Sequence, residues 1–314
     1  MGKTKGTLGC VLAAMLALAA PDRGAACAFH GYTPDPTLVD RLLATEQVVI
    51  ARLSGPDGQR YVPVETLLGP PVAEIPIAVD ARTRARVAQN PAGTVLLARD
   101  GSYGPWMPVA VLDPGYRAVV EQVVARQSAW QLGRDRDRSR IFAKRLNDPN
   151  PALRHLALQE MDRMPYADLR ALRLPRIVGL QQDVQTGDPE LRPIRVLLAG
   201  LSGDRGYTPY LAGALDLAIA RETPYLGAYA TALIELEGRA GVAHVIGRIT
   251  RNAQSDSVVT ERLFEALALQ YKSGPGAVRR SITRSVAELV RSNPAFEEVA
   301  ARQFGFDGGW RRGN

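Results

Sequence analysis

Two spacings of apolar residues divide this chain. From 45 to 112 they fall in short, β-branched, partly alternating runs: VVIARL (48–53), YVPVETLL (61–68), IPIAV (75–79), TVLLARD (94–100) and WMPVAVL (106–112). Between the runs stand SGPDGQ, LGPP, QNPAG and DGSYGP, rich in the residues that turns require. Five such runs predict five short strands in a small barrel or sandwich. From 113 onward the period changes to three and four. The stretch 113–130 reads as a helix with Asp113 as its cap and Pro114 at the first position. Helical stripes then recur, among them Leu153, Leu156, Ala157 and Met161, later Leu226, Ala230, Leu233 and Ile234, and last Val278, Ile282, Val286 and Leu289.

The helical stretches share a way of starting. A polar residue, a proline and then an apolar residue occur in NPAL (150–153), DPEL (188–191), NPAF (293–296) and twice in TPYL (208–211 and 223–226). The polar side chain is expected to accept a bond from a first-turn N–H, and proline there gives up an N–H that had no helical partner. TPYL is therefore expected to be a helix start, with Thr208 and Thr223 as caps. From Pro151 to Pro189 is 38 residues, and from Pro189 to Pro224 is 35, each interval long enough for two helices. That period predicts a stacked α-solenoid. The run DPNPALRHLALQEM (148–161) resembles the HEAT-repeat pattern, with Arg154 and Arg192 at its arginine position. The resemblance covers about 139–291 and implies that these arginines are structural, tying repeats together.

The first residues, MGKTKGTLGCVLAAMLALAAPDRGAACAFHGY, have a basic start, a short apolar run and small residues before Cys27. This is the layout of a signal peptide, with Ala26 and Cys27 at the processing site. The run is shorter than the roughly 20 residues a spanning helix needs, so no integral membrane segment is expected after processing. Cleavage is expected after Ala26 or after Ala28, and lipidation of Cys27 is a third option, disfavoured by Gly24 where a lipoprotein signal prefers leucine. Removal of 1–26 also removes Cys10, so the mature chain has a single cysteine and no internal disulfide.

The same removal takes three cations and one acid, so the formal charge falls from +7 to +5. Arginines alternate with carboxylates, as in RDRDRSR (134–140), which reads as a solvated surface and not as a nucleic-acid groove.

Cys27, the VVIARL strand and YVPVETLLG resemble the netrin-like domains, which include tissue inhibitors of metalloproteinases and have a five-stranded OB-type barrel. The likeness covers about 27–130. It departs at Ala28-Phe29, where those inhibitors carry a second cysteine. What it implies is a barrel, with protease inhibition as an alternative role.

Catalytic signatures are missing. The three histidines, His30, His155 and His244, lack a second ligand at metal spacing, and Ser202 in GLSGD is not in a nucleophile elbow. Glu235 and Glu237, two apart on a helix, point away from each other. No cofactor or metal is expected. Tyr103 and Trp106, in DGSYGPWMP, are candidate anchors for a partner; the competing reading, which is preferred, has Trp106 tucked back into the barrel. The expectation is an α+β chain in two parts: residues 1–26 a signal peptide, 27–133 a small barrel with a helix, and 134–314 a HEAT-like solenoid. Its expected role is that of an exported, periplasmic or secreted, non-catalytic scaffold binding another exported protein through the helical surface. The alternatives are a regulator of an exported protease acting through the barrel, and a hydrolase whose residues meet only on folding.

Overall fold

The computed structural model describes residues 34–305, except 56, 57, 91, 102 and 253–256. The expected processing site at Ala26 and Cys27, and His30, lie outside the described residues. Within them the chain is α+β and forms two compact units. One comprises residues 34–164 and 171–195; the other comprises 165–170 and 196–305. The expected boundary at 133/134 falls inside the first of these.

The first unit opens with α1 (Leu38–Leu43), started by a capping box between Thr37 and Asp40. Five strands follow: β1 (Gln47–Ser54), β2 (Arg60–Leu68), β3 (Ile75–Ala78), β4 (Thr94–Arg99) and β5 (Met107–Leu112). They form one curled antiparallel sheet in the order β3-β2-β1-β4-β5. Alternation along β1 sends Val49 and Ala51 to one face, opposite Leu97 and Val95 of β4. These join Tyr61, Ile75, Val79 and Trp106 in the core inside the curl. Val48 and Ile50 pair with Ala98 and Leu96 on the other face and are equally buried. Helix α3 (Pro114–Val124) packs against β2 and β5 and buries Val119, Val120 and Val123.

The sheet is a half-barrel and not the closed barrel expected from five strands. β3 is four residues long and pairs with β2 at only two positions. Among the described residues it does not pair with β5. Helix α2 (Ala81–Gln89) packs on β5 and adds Val87 to the inner core, so a helix serves where strand pairing would have closed the curl. Shifts of register between Val48 and Val49, and between Ile50 and Ala51, bend the central pair.

After α3 come α4 (Gln127–Gln131), α5 (Arg138–Ala143), α6 (Pro151–Asp162), α7 (Tyr166–Ala171), α8 (Leu180–Thr186) and α9 (Arg192–Leu201). The second unit is built on α10 (Thr208–Ala220), α11 (Leu226–Glu237), α12 (Arg239–Asn252), α13 (Ser257–Ser273), α14 (Gly276–Ser292) and α15 (Glu297–Phe304). Helix α11 packs on α10, α12 and α13, and α12 packs in turn on α14. Ten residues of α11 are buried, because neighbours cover it on several sides. Close approach to it requires glycine: a Cβ on Gly241 of α12 would meet Leu233 O at 2.6 Å, and one on Gly200 of α9 would meet Ala232 Cα at 2.6 Å.

The helix starts divide by residue type. Asn150 accepts from the N–H groups of Ala152 and Leu153, and Asp113 accepts from that of Tyr116. Asp188 and Asn293 likewise cap short 3₁₀ turns that lead into α9 and α15. Thr208 and Thr223 do not cap, contrary to expectation. Thr208 is already inside α10, and its hydroxyl donates to Glu237 Oε1 at 2.7 Å. Thr223 stands three residues before α11 with its hydroxyl oxygen buried and unpartnered. TPYL does precede or open each helix, but its threonine does not supply the cap.

Candidate functional site

The RDRDRSR run, expected to be plain solvated surface, is sorted by the fold into inward and outward charges. Asp137 accepts from Trp130 Nε1 at 2.8 Å and from Arg126 Nε at 2.9 Å, which fixes the start of α5 against α4. Arg138 then turns inward. Its Nε donates to Glu160 Oε2 at 2.7 Å, and one Nη donates to Glu160 Oε1 at 3.0 Å and to Asp40 Oδ1 at 2.8 Å. Thr37 donates its hydroxyl to Glu160, and Arg163 pairs with Asp40 at 2.8 Å. Burial alone would raise the Asp40 carboxyl; the Arg138 and Thr37 hydrogen bonds and the two arginine charges outweigh it and hold the group below its ordinary value. Every charge in this cluster is matched. It clamps α1, α5 and α6 together and leaves nothing to bind a ligand.

Arg140, two residues on, faces a groove of about 520 Å³. Lys144, one helical turn further, faces the same groove, and Arg173 meets it from the stretch that follows Ala171. Among the described residues none of these three cations makes a side-chain hydrogen bond or ion pair. The rest of the lining is Ala143, Ala171, Leu172, Leu174 and Pro175. The groove thus presents three free positive charges over an aliphatic surface with no acid in its lining. Such a surface raises the local concentration of anions and offers an apolar floor to whatever carries them.

The groove's outer edge is positioned by Asn147. Its Nδ2 donates to Arg176 O at 2.8 Å, and its Oδ1 accepts from Val178 N–H at 2.9 Å. Arg145 is held away from the groove by its pair with Asp148 at 2.9 Å.

A second buried polar network lies in the other unit. Tyr166 donates to Glu235 Oε2 at 2.7 Å, Arg170 Nε donates to the same carboxylate at 3.0 Å, and Gln270 Nε2 donates to Tyr166 Oη at 2.8 Å. Burial, followed by the neighbouring Glu235 charge, pushes the Tyr166 phenol well above its ordinary value. The phenol is therefore a neutral donor at physiological pH. Glu237, two residues from Glu235, takes a different partner, Thr208.

Trp106 is in the core of the half-barrel, with the Arg99 guanidinium 4.6 Å from its ring centroid. Tyr103 is 100% exposed. The loop therefore offers one aromatic and not two. Arg154 donates to the carbonyls of Asp148 and Pro149 at 2.6 and 3.1 Å, just ahead of its own helix. At the next start the corresponding bond, to Asp188 O at 2.7 Å, comes from Arg195 and not from Arg192. Arg192 Nε is buried without a partner. Ser202 Oγ donates to Ala199 O at 2.6 Å, at the end of α9. His155 is exposed, and His244 is half-buried with its pKa lowered by burial and by Arg248. Among the described residues no three His, Cys, Asp or Glu side chains gather to hold a metal ion. No helix among them is long and apolar enough to cross a membrane.

Sequence reasoning missed the groove because Arg140, Lys144 and Arg173 come from a charge-mixed run and an aperiodic stretch that meet only on folding. The formal charge of +7 was the single available signal. No protein family, no curated protein and no solved structure matches this chain.

Proposed function

We propose that this chain is a non-catalytic binding module that takes an acidic partner in the groove of Arg140, Lys144 and Arg173. One observation carries the reading: three cations without protein partners surround one aliphatic-floored groove. Leaving three like charges together and unpaired costs stability through repulsion, and an acidic ligand relieves it. In this reading residues 1–26 direct export and the partner is itself an exported protein. The helical stretch 134–314, in which the groove lies, is the HEAT-like scaffold that presents it.

Fluorescence-anisotropy titration with a labelled hexaglutamate peptide tests this. Saturable binding that weakens with salt is expected, reduced about tenfold or more in the variant Arg140→Glu/Lys144→Glu/Arg173→Glu. The three side chains have no protein partners, so the variant's circular dichroism spectrum should match the parent's. Equal affinity of parent and variant overturns the proposal.

A further inference from the structure

We infer that the groove's occupant is an extended polypeptide segment in which acidic and aliphatic residues alternate; the inference rests on the groove being the binding site. Residues 173–177 form no helix, strand or turn. Leu174 precedes Pro175, which bars the α region and favours extended backbone there. Asn147 fixes the stretch by engaging a carbonyl at 176 and an N–H at 178, a bonding pattern that a neighbouring strand also uses. Among the described residues, the main-chain groups of Arg173, Leu174 and Ile177 have no hydrogen-bond partner. An extended stretch with unpaired main chain beside a groove is the setting in which a peptide adds as a strand.

The charge spacing agrees. Arg140 and Lys144 are four residues apart on a helical rise, about 6 Å. Carboxylates two residues apart on an extended chain are about 6.6 Å apart. The residue between them would project the other way, and an aliphatic side chain at alternate positions suits the floor of Leu172, Leu174 and Pro175. A nucleic acid fits less well, because no aromatic lines the groove for bases to stack on.

The test compares four probes on the full chain: an acetylated, amidated (Glu-Val)₃ peptide, the same peptide with esters replacing the valine N–H groups, inorganic triphosphate, and an oligothymidylate. The parent peptide is expected to bind most tightly, and the ester form about tenfold more weakly. Asn147→Ala, which releases the stretch, should weaken the peptide several-fold and leave triphosphate binding unchanged. An ester peptide that binds as well as its parent overturns the strand-addition inference. So does tighter binding of triphosphate or oligothymidylate. In each of those cases sensitivity to the triple charge reversal keeps the groove as an anion site. If no probe responds to that reversal, the groove reading fails and the inference fails with it.

Discussion

Each compact unit buries one ionic network, and the two networks share their load differently. In the first, Arg138 serves two carboxylates, and Glu160, with its side chain 3% exposed, has only the Thr37 hydroxyl besides. In the second, Glu235 collects bonds from Arg170, Tyr166 and Gln270, two of them neutral donors. Glu160 depends on a single cation, whereas Glu235 divides its bonds among three groups. A sealed carboxylate that loses its one cation is left charged and uncompensated, while one with neutral donors loses a bond and keeps the others. The same unit that concentrates charge in a clamp also holds uncompensated charge in its groove. Arg138 and Arg140 of a single short helix supply the two.

The largest expected effect follows directly. Arg138→Met should cost about 3–5 kcal/mol, the usual consequence of orphaning a buried charge. Arg170→Met, at the corresponding place in the other network, should cost about 1.5–3 kcal/mol, the range for one hydrogen bond to a charged group. Urea denaturation followed by circular dichroism measures both, and equal costs would remove the distinction.

Acid should separate the units next. The carboxyls of Asp40, Asp80 and Asp137 all lie below their ordinary values, through hydrogen bonds and arginine charges that outweigh burial where burial opposes them. A depressed carboxyl contributes stability that is present above its unfolded value and lost as pH falls through its folded one. The loss therefore falls below about pH 4. In the other unit Glu265 is raised by burial, so acid stabilises its surroundings. With Trp310→Phe, so that only Trp106 and Trp130 report, fluorescence should shift before helical circular dichroism is lost. Simultaneous loss counts against the contrast. Alkali does not discriminate, since burial pushes Tyr116 in the first unit up to about 12 and Tyr166 in the second upward as well.

The smallest effect concerns the helix starts. Asn150→Ala removes a cap and should cost about 1 kcal/mol. Thr223→Val removes a buried hydroxyl that has no partner and should be neutral or stabilising by up to about 1 kcal/mol. A cost for Thr223→Val equal to that for Asn150→Ala would show that the hydroxyl caps after all.

These cases show what was legible in the sequence. All five strands were readable to within two residues, because half-buried strands alternate and β-branched runs are bounded by turns. Their failure to close was not readable, since pairing between distant edges leaves no local period. Helix α2 went unseen because ARTRARVAQ carries arginine where a stripe would show and buries little beyond Thr83. Asx-Pro and Thr-Pro starts look alike in sequence; the fold sets Thr208 one position too late and Thr223 two too early to cap. Arg138 and Arg140 were indistinguishable as letters, and a two-residue offset on a helix sent one into the clamp and the other to the groove.

The central claim is that the groove between α5 and residues 171–175 is where this chain meets its partner. Amide hydrogen exchange with and without saturating (Glu-Val)₃ peptide tests it most directly. Slowed exchange confined to 138–144 and 171–178 is the predicted result, with the main chain of Arg173, Leu174 and Ile177 gaining the most protection. Protection centred on other residues, or none at peptide concentrations that saturate hexaglutamate binding, would contradict it.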